Sequence, residues 1–287
     1  MKYSVSSYSY SKLVSAGEYT EIQLIGLAKE MGFDGIEFAE IHTPEGADKL
    51  EYAASLRAEA EKHEIEIVAY CIGANLLYDT EKEIERLRYE VDVCAALGAP
   101  VMRHDASGGY RNEDQKKGLG FNNALPVIVS GYKAVTEYAK TKGIKTCIEN
   151  HGFFAQDSER VTAIINGVAD ENFGALVDIG NFMCADEDPA VAVGNVAPYA
   201  FHVHAKDFHL KKGNSFVPSD GFFMTRGGNF LRGAIIGHGE VPVIQCLRIL
   251  KNAGYNGYIT VEFEGMEDAR TGVKCGLNTL KRADELL

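Results

Sequence analysis

Hydrophobic and polar residues change their spacing along the chain in a regular order. Apolar residues that recur every three or four positions predict amphipathic helices. The clearest example is the segment Glu81 to Leu97, whose apolar stripe consists of Ile84, Leu87, Val91 and Cys94. Short apolar runs lie between such helices and predict buried strands. Helices and strands that alternate in this way indicate an α/β protein with a parallel sheet.

Glycines mark the ends of the predicted helices, immediately before or close to the next strand. They are Gly32, Gly98, Gly143 and Gly254, each at the position that favours a left-handed residue. Eight helix and strand units within 287 residues predict a (β/α)8 barrel, with residues 1–287 forming a single domain. A doubly wound open sheet would require a glycine-rich first turn, and the segment Ser9 to Lys12 contains no glycine.

Three local signals predict helix boundaries. The segment Thr20 to Gln23 has the spacing of a capping box. Ser158 can cap the helix after the fifth strand, and Pro242 suits the first position of the helix before the last strand.

One segment, Phe208 to Gly239 after the seventh strand, is too long for an ordinary strand–helix connection and is predicted to be a long loop. We expect it to fold over the mouth of the barrel or to reach a neighbouring subunit, so that a homo-oligomer is an open possibility. Its residues Phe222, Phe223 or Arg226 would then lie near the site or an interface.

Four consecutive predicted strands end in a side chain that can bind a metal ion: Glu149, Asp178, His204 and Glu262. Because side chains alternate along a strand, each of these ligands faces away from its bulky neighbour. A lone carboxylate at a strand end is usually solvated. Four ligands at the equivalent position of four consecutive strands, all facing the same side, predict one site. Three carboxylates and one imidazole suit Mn²⁺, Mg²⁺ or Co²⁺, with Zn²⁺ as a further option.

Other polar residues near the predicted strand ends have two open interpretations each. Lys206 faces inward and could contact a substrate or pair with Asp207 or Glu264. His151, which shares the face of Glu149, and His104, at the end of the fourth strand, could each line the pocket or have a structural role.

Three more residues are interpreted in the same way. Arg226 could bind an anionic group, or lie on an exposed loop. Glu37 could belong to the pocket wall or its supporting layer, or be a solvated strand end. His202 lies one layer below His204 and is interpreted as a hydrogen-bonded residue of the barrel interior.

Charge and composition exclude several functional classes. The net charge of −12 argues against a nucleic-acid or anionic-membrane partner. No apolar run approaches the roughly 20 residues of a membrane helix, and the N-terminus lacks the apolar core of a signal peptide. The six cysteines form no Cys-x-x-Cys pair. We therefore expect a cytoplasmic protein with reduced cysteines.

The strand-end motifs resemble those of the sugar phosphate isomerase/epimerase superfamily, the xylose isomerase-like barrels. The most specific match is His204-Ala205-Lys206-Asp207, and the segments Glu149 to His151, Val177 to Asn181 and Val261 to Glu264 agree with it. DNA-repair endonucleases of this superfamily carry a histidine where this chain has Asn181, which argues against that branch.

The resemblance implies a divalent metal, with manganese as the first expectation, bound by Glu149, Asp178, His204 and Glu262. It also implies that Glu149 and Glu262 move the substrate proton. We therefore predict a metal-dependent sugar or polyol isomerase or epimerase that acts on a small carbohydrate through an enediolate. A dehydratase that uses the same site, and a non-catalytic sugar-binding barrel or partner subunit, remain alternatives. Asn181 belongs to the matching motif and is included among the substrate-binding candidates His104, His151, Lys206 and Arg226.

Overall fold

Eight parallel strands close into a barrel in the computed structural model, which describes residues 1–214 and 216–287. Around the ring their order is β1-β11-β7-β6-β5-β4-β3-β2. The barrel strands are β1 (Lys2–Ser6), β2 (Gly35–Ala39), β3 (Glu66–Ile72), β4 (Val101–His104), β5 (Lys145–Glu149), β6 (Phe173–Asp178), β7 (Ala200–Ala205) and β11 (Tyr258–Val261). The predicted (β/α)8 architecture is confirmed.

Helices surround the barrel, and the longer ones bury their apolar stripes against it. They are α1 (Ser11–Ser15), α2 (Glu21–Met31), α3 (Lys49–Lys62), α4 (Thr80–Leu97), α5 (Asn112–Gln115), α6 (Phe121–Lys140), α7 (Ser158–Val168), α8 (Pro189–Val196), α9 (Val243–Asn252) and α10 (Ala269–Asp284). In α4 the predicted stripe is confirmed for Leu87, Val91 and Cys94, which are fully buried, whereas Ile84 is half-buried. No helix within the described residues is long and apolar enough to cross a membrane.

The helix boundaries confirm one of the three local signals. The side chain of Gln23 accepts a hydrogen bond of 2.9 Å from the backbone N–H of Thr20, which completes the predicted capping box. The prediction for Ser158 is wrong, because Asp157 caps α7 and accepts from the N–H of Arg160. A carboxylate one residue earlier reaches the free N–H groups first. Pro242 precedes α9 and is not its first residue.

The segment predicted to be a long loop contains a small antiparallel sheet instead. Its strands are β8 (Asp207–Lys211), β9 (Phe223–Met224) and β10 (Phe230–Ala234), in the order β8-β10-β9. Phe208 and Leu231 are buried on this sheet, which gives the two longer strands an apolar anchor. Phe223 packs edge to face against Phe208 with ring centroids 5.8 Å apart, and Phe222 lies under the guanidinium of Arg232.

The cysteines behave as small core residues. All six are free thiols, and all except Cys275 are buried. Cys147 belongs to a cluster inside the barrel, while Cys94, Cys184 and Cys246 pack in the larger core between the barrel and its helices.

Candidate metal and active site

Four side chains converge where strands β5, β6, β7 and β11 finish. They are Glu149, Asp178, His204 and Glu262, and one donor atom of each lies within 4.8 Å of the others. Glu149 and Asp178 are the last residues of β5 and β6, and Glu262 directly follows β11. The structure therefore brings together all four residues that the sequence predicts as metal ligands.

The donor atoms of this group fit a divalent cation. Asp178 Oδ2 and His204 Nδ1 are buried, and neither makes a hydrogen bond with a described residue. His204 Nδ1 lies 3.3 Å from Glu262 Oε2 and 3.9 Å from Glu149 Oε1. Burial raises the pKa of Asp178, since its carboxylate is removed from water. A buried set of oxygen donors with one imidazole nitrogen is the environment that Mn²⁺ or Mg²⁺ prefers.

A buried carboxylate holds the imidazole of His204 from below. Glu37 Oε2 lies 2.7 Å from His204 Nε2 and 2.9 Å from His202 Nε2. Although burial opposes ionisation, these two imidazoles lower the pKa of Glu37. Because His204 can donate through Nε2, its Nδ1 can carry the lone pair that a metal ion needs. His202 also contacts the hydroxyl of Thr260 at 2.8 Å, which confirms it as a hydrogen-bonded interior residue.

A second group of close donor atoms comes from Glu37, Cys71 and His204. Burial raises the pKa of Cys71 well above its ordinary value, which disfavours the thiolate form that metals bind. Glu37 is already bonded to two imidazoles. The chemistry therefore favours the group of three carboxylates and His204 as the metal site.

Glu149 is fixed by contacts to both of its carboxylate oxygens. Its Oε2 lies 2.7 Å from Arg103 Nε, and its Oε1 accepts a hydrogen bond of 3.0 Å from Asn181. Asn181 begins a short 3-10 helix after β6, and its backbone N–H donates to Asp178 Oδ1. Arg103 is not evident from the strand-end motifs, although it shares with Val101 the strand face that points into the barrel.

Lys206 places its ammonium group among the carboxylates. Its Nζ lies 2.7 Å from Glu262 Oε2, 3.4 Å from Asp178 Oδ2 and 3.7 Å from Glu264 Oε2. Desolvation opposes this charge, but the neighbouring carboxylates, Glu262 first, raise the pKa of Lys206. The predicted pairing with Glu264 is present, whereas Asp207 turns away and accepts hydrogen bonds from backbone N–H groups.

A cavity of about 670 Å³ opens above this group of side chains. Its volume falls within the roughly 300–1,000 Å³ of ordinary small-molecule sites. Glu149, His204, Lys206 and Glu262 all contribute to its walls. Three of the four candidate ligands, Glu149, His204 and Glu262, therefore face a space that is large enough for a small substrate.

His151 reaches this cavity on the side of β4 and β5. Its ring is about half exposed, and Nδ1 lies 3.0 Å from Asp105 Oδ1. Burial disfavours the charged imidazole, but the hydrogen bond to Asp105 and the negative charges of Glu149 and Asp105 together raise the pKa of His151. Asp105 also lies 2.7 Å from Arg103 Nη2, which links His151 to the contacts around Glu149.

Three predicted substrate-binding residues do not line the cavity: Asn181 is bonded to Glu149, and His104 and Arg226 lie farther away. The ring of His104 is buried and stacks on Tyr132 at 4.4 Å, and desolvation lowers the pKa of His104 to about 4. Arg226 lies 2.7 Å from Asp157 Oδ2 and donates to the carbonyl of Phe153. Both side chains therefore have structural partners in this conformation.

Two acidic residues of the cavity wall, Asp105 and Glu40, are also not evident from the strand-end motifs. Asp105 directly follows β4, and Glu40 directly follows β2. Residues at these positions in a (β/α)8 barrel belong to its functional end. That position is the signal that could have identified both.

Comparison with models of known families identifies the fold family. The model described as a xylose isomerase-like TIM barrel matches residues 25–283. The chain belongs to the xylose isomerase-like TIM barrel family. The matched span includes all four candidate ligands, and the resemblance inferred from the strand-end motifs is confirmed.

The relatives of this xylose isomerase-like barrel include a dehydratase and an epimerase. Inosose dehydratase of Clostridium perfringens (strain 13 / Type A) is 26% identical over 257 residues, which cover 86% of this chain and 83% of that protein. The structure of L-ribulose 3-epimerase has a TM-score of 0.74 at 15% identity and covers 100% of this chain and 95% of its own. A xylose isomerase-like barrel protein from Mycobacterium smegmatis, in complex with magnesium, has a TM-score of 0.69 at 17% identity, with coverage of 92% and 88%. At these identities the solved structures demonstrate a shared fold.

Proposed function

We propose that this chain is a divalent-metal-dependent isomerase or epimerase of a small sugar or polyol. The observation that carries the proposal is the convergence of Glu149, Asp178, His204 and Glu262 beside the cavity. These four residues would hold the cation, with manganese as the first expectation. When bound, the cation would supply Lewis-acid stabilisation of the negative charge that develops on substrate oxygens.

Glu149 and Glu262 are the proposed catalytic residues. They lie at the ends of β5 and β11, which are separated in the barrel by β6 and β7. A substrate that lies across this arc has one carboxylate near each face. One glutamate removes the proton from the carbon beside the carbonyl group. The other returns a proton on the opposite face for epimerisation, while return to the neighbouring carbon gives isomerisation.

Four other residues support this chemistry. Arg103 and Asn181 each bind one oxygen of Glu149, which fixes the direction in which its carboxylate faces. Lys206 and His151 line the cavity and are the proposed contacts to substrate oxygens. Fixed donors of this kind favour proton transfer because little reorganisation is needed during the reaction.

Solvent-deuterium exchange tests the proposal. The protein loaded with Mn²⁺ is incubated in D₂O with a panel of ketoses and keto-polyols, and proton NMR follows the carbon beside the carbonyl. We expect deuterium to enter at that carbon. Glu149→Gln and Glu262→Gln should each lower exchange by about 10²–10⁴-fold, the usual contribution of a general acid or base.

The control is Glu159→Gln, which removes an exposed carboxylate on α7 and should exchange at the wild-type rate. Product formation without deuterium incorporation would contradict proton transfer and indicate a hydride shift. Bound Mn²⁺ with neither exchange nor product on the whole panel would favour a non-catalytic sugar-binding barrel.

A dehydratase is the second candidate function, and two observations favour it. One is the similarity to inosose dehydratase. The other is the pair formed by His151 and Asp105 at the cavity wall, where the raised pKa of His151 suits proton donation to a departing hydroxyl group.

The variant His151→Asn distinguishes the two candidate functions. If the chain is a dehydratase, this variant should lose formation of a product lighter by one water, measured by mass spectrometry, while deuterium exchange beside the carbonyl continues. An isomerase or epimerase would give no such product in either protein.

A further inference from the structure

The cavity wall opposite β6 contains a carboxylate with an uncommon backbone conformation. Glu40 directly follows β2, which lies diametrically across the ring from β6. Its φ of 43° is a left-handed value that few residues other than glycine adopt. A hydrogen bond of 2.8 Å from its backbone N–H to the carbonyl of Cys71 holds this conformation. Strained residues of this kind often occur at functional sites.

The carboxylate of Glu40 differs from the other acidic groups of the cavity. Glu21, on the same side, is anchored by the backbone and ring nitrogens of His42 and by the hydroxyl of Tyr52. Glu40 is exposed, and its side chain makes no ion pair with a described residue. It therefore has free oxygens that can accept hydrogen bonds from a ligand.

Hydroxyl groups surround this part of the wall. Tyr8, Ser11 and Ser15 line the cavity on the side of β1, next to Glu40 and His42 on the side of β2. Tyr8 is 45% exposed, so its ring offers an apolar face to a ligand. We call these five residues the distal wall. A mixture of hydroxyls, one free carboxylate and an aromatic face suits a ligand with many hydroxyl groups.

The charges of the cavity oppose a phosphate or carboxylate on the ligand. Among the described residues that line it, seven are acidic, against two permanent cations, Arg103 and Lys206. Carboxylates already offset both charges: Arg103 pairs with Glu149 and Asp105, and Lys206 with Glu262 at 2.7 Å, so neither adds net positive charge to the cavity. Proteins bind phosphate with free arginine, lysine or backbone N–H donors. Even with the two charges of the proposed divalent cation, a phosphate would meet an excess of negative charge here.

We propose that the cavity takes an uncharged polyhydroxylated carbohydrate, with Glu40 binding the hydroxyl groups farthest from the reacting carbon. This inference rests on the proposed function for the position of the reacting carbon. It adds the substrate class and one substrate-binding residue. Phosphorylated and carboxylated sugars of the same carbon skeleton are excluded by charge.

Matched substrates test the excluded class. Free ketohexoses, free ketopentoses and an inosose are compared with the corresponding ketose phosphates and with a cyclic keto-acid, using both deuterium exchange and saturation-transfer NMR for binding. We expect binding and exchange with at least one uncharged member, at a kcat/KM at least 100-fold above that of its charged counterpart. A charged member that binds or reacts as well as its uncharged counterpart would overturn the inference.

The two readouts separate this inference from the proposed function. Binding of uncharged members without exchange would overturn proton transfer and support the substrate class. Exchange with a ketose phosphate would support proton transfer and overturn the substrate class. No binding by any uncharged member would overturn the assignment of the cavity.

Variants of Glu40 test the residue itself with the best uncharged substrate. Glu40→Gln should raise KM about tenfold and leave kcat within twofold, because the lost interaction is distant from the reacting carbon. Glu40→Lys should reduce the discrimination against the phosphorylated counterpart at least tenfold. Glu45→Gln is the matched control, since it removes an exposed carboxylate from the same connection outside the cavity lining. An unchanged KM in Glu40→Gln, or a fall confined to kcat, would contradict the role.

Discussion

The interior of the barrel has two halves of different chemistry. Strands β3 to β6 contribute Ala69, Val101, Cys147 and Leu176, which pack together as a buried apolar cluster. We call this cluster the apolar half. It lies below the end of the barrel from which Glu149 projects, so the carboxylate stands on a base of close-packed side chains.

Strands β1, β2, β7 and β11 fill the other half with a chain of polar contacts. It passes through Ser4, Thr260, His202, Glu37 and His204, with successive contacts of 2.6, 2.8, 2.9 and 2.7 Å. We call these residues the polar half. All of them are buried, so each needs its neighbour as a hydrogen-bond partner.

This difference indicates that one half of the barrel interior mainly stabilises the fold, whereas the other half mainly orients the metal-binding side chains. Removing packed apolar volume costs mainly folding free energy. Removing a polar partner of a metal-binding histidine mainly disturbs the orientation of the imidazole and lowers its basicity, so the affinity for the metal falls. Substitutions in the two halves should therefore affect different measurements.

The largest effect is expected in the apolar half. Leu176→Ala removes a side chain that is 1% exposed and leaves a cavity, so the free energy of unfolding should fall by about 2–5 kcal/mol. Chemical denaturation measures this loss, and titration calorimetry should give a Mn²⁺ affinity within twofold of the wild type. A tenfold loss of affinity would show that the apolar half also orients the ligands.

A substitution in the polar half should have the opposite profile. Glu37→Gln keeps the shape but removes the charge that faces His204, so the affinity for Mn²⁺ should fall by about 10–100-fold. Titration calorimetry measures the affinity, and circular dichroism checks that the barrel remains folded. Glu45→Gln serves as the control for loss of one carboxylate. An unchanged affinity in Glu37→Gln would remove its proposed orienting role.

The smallest effect is expected at the far end of the polar half. Ser4→Ala removes one contact to Thr260, which retains His202 as a partner. The free energy of unfolding should fall by about 0.5–1.5 kcal/mol, the net value of one hydrogen bond. The Mn²⁺ affinity should not change. A loss as large as that of Glu37→Gln would mean that the whole chain orients His204.

Much of the fold follows from local signals that act over a few residues. The capping box at Thr20 and the glycines at the helix ends need no distant partner, and the structure confirms them. The sheet that contains Phe208 and Leu231 is different, because its strands pair across a long polar segment. The pairing of these strands depends on tertiary contacts, which the sequence alone does not specify.

Some residues of the candidate site can likewise be predicted from the sequence, whereas others cannot. Glu149 and His204 could be placed together from strand phase alone, because parallel strands end on one side of a barrel. The alternation of side chains along a strand could not show that Glu37 binds two imidazoles or that Arg103 reaches Glu149. Those contacts depend on which strands face each other across the interior, which a single sequence does not specify.

Because the polar half includes residues of both the first and the last barrel strand, the candidate site can form only late in folding. The polar half joins β1 to β11, and these strands pair Lys2 with Tyr258, 256 residues apart in sequence. During synthesis the ring cannot close until the last strand is available, and such distant contacts form at a high entropic cost. Glu262 reaches the other ligands only after that closure. A cation bound by all four residues would therefore select the closed ring and slow its reopening.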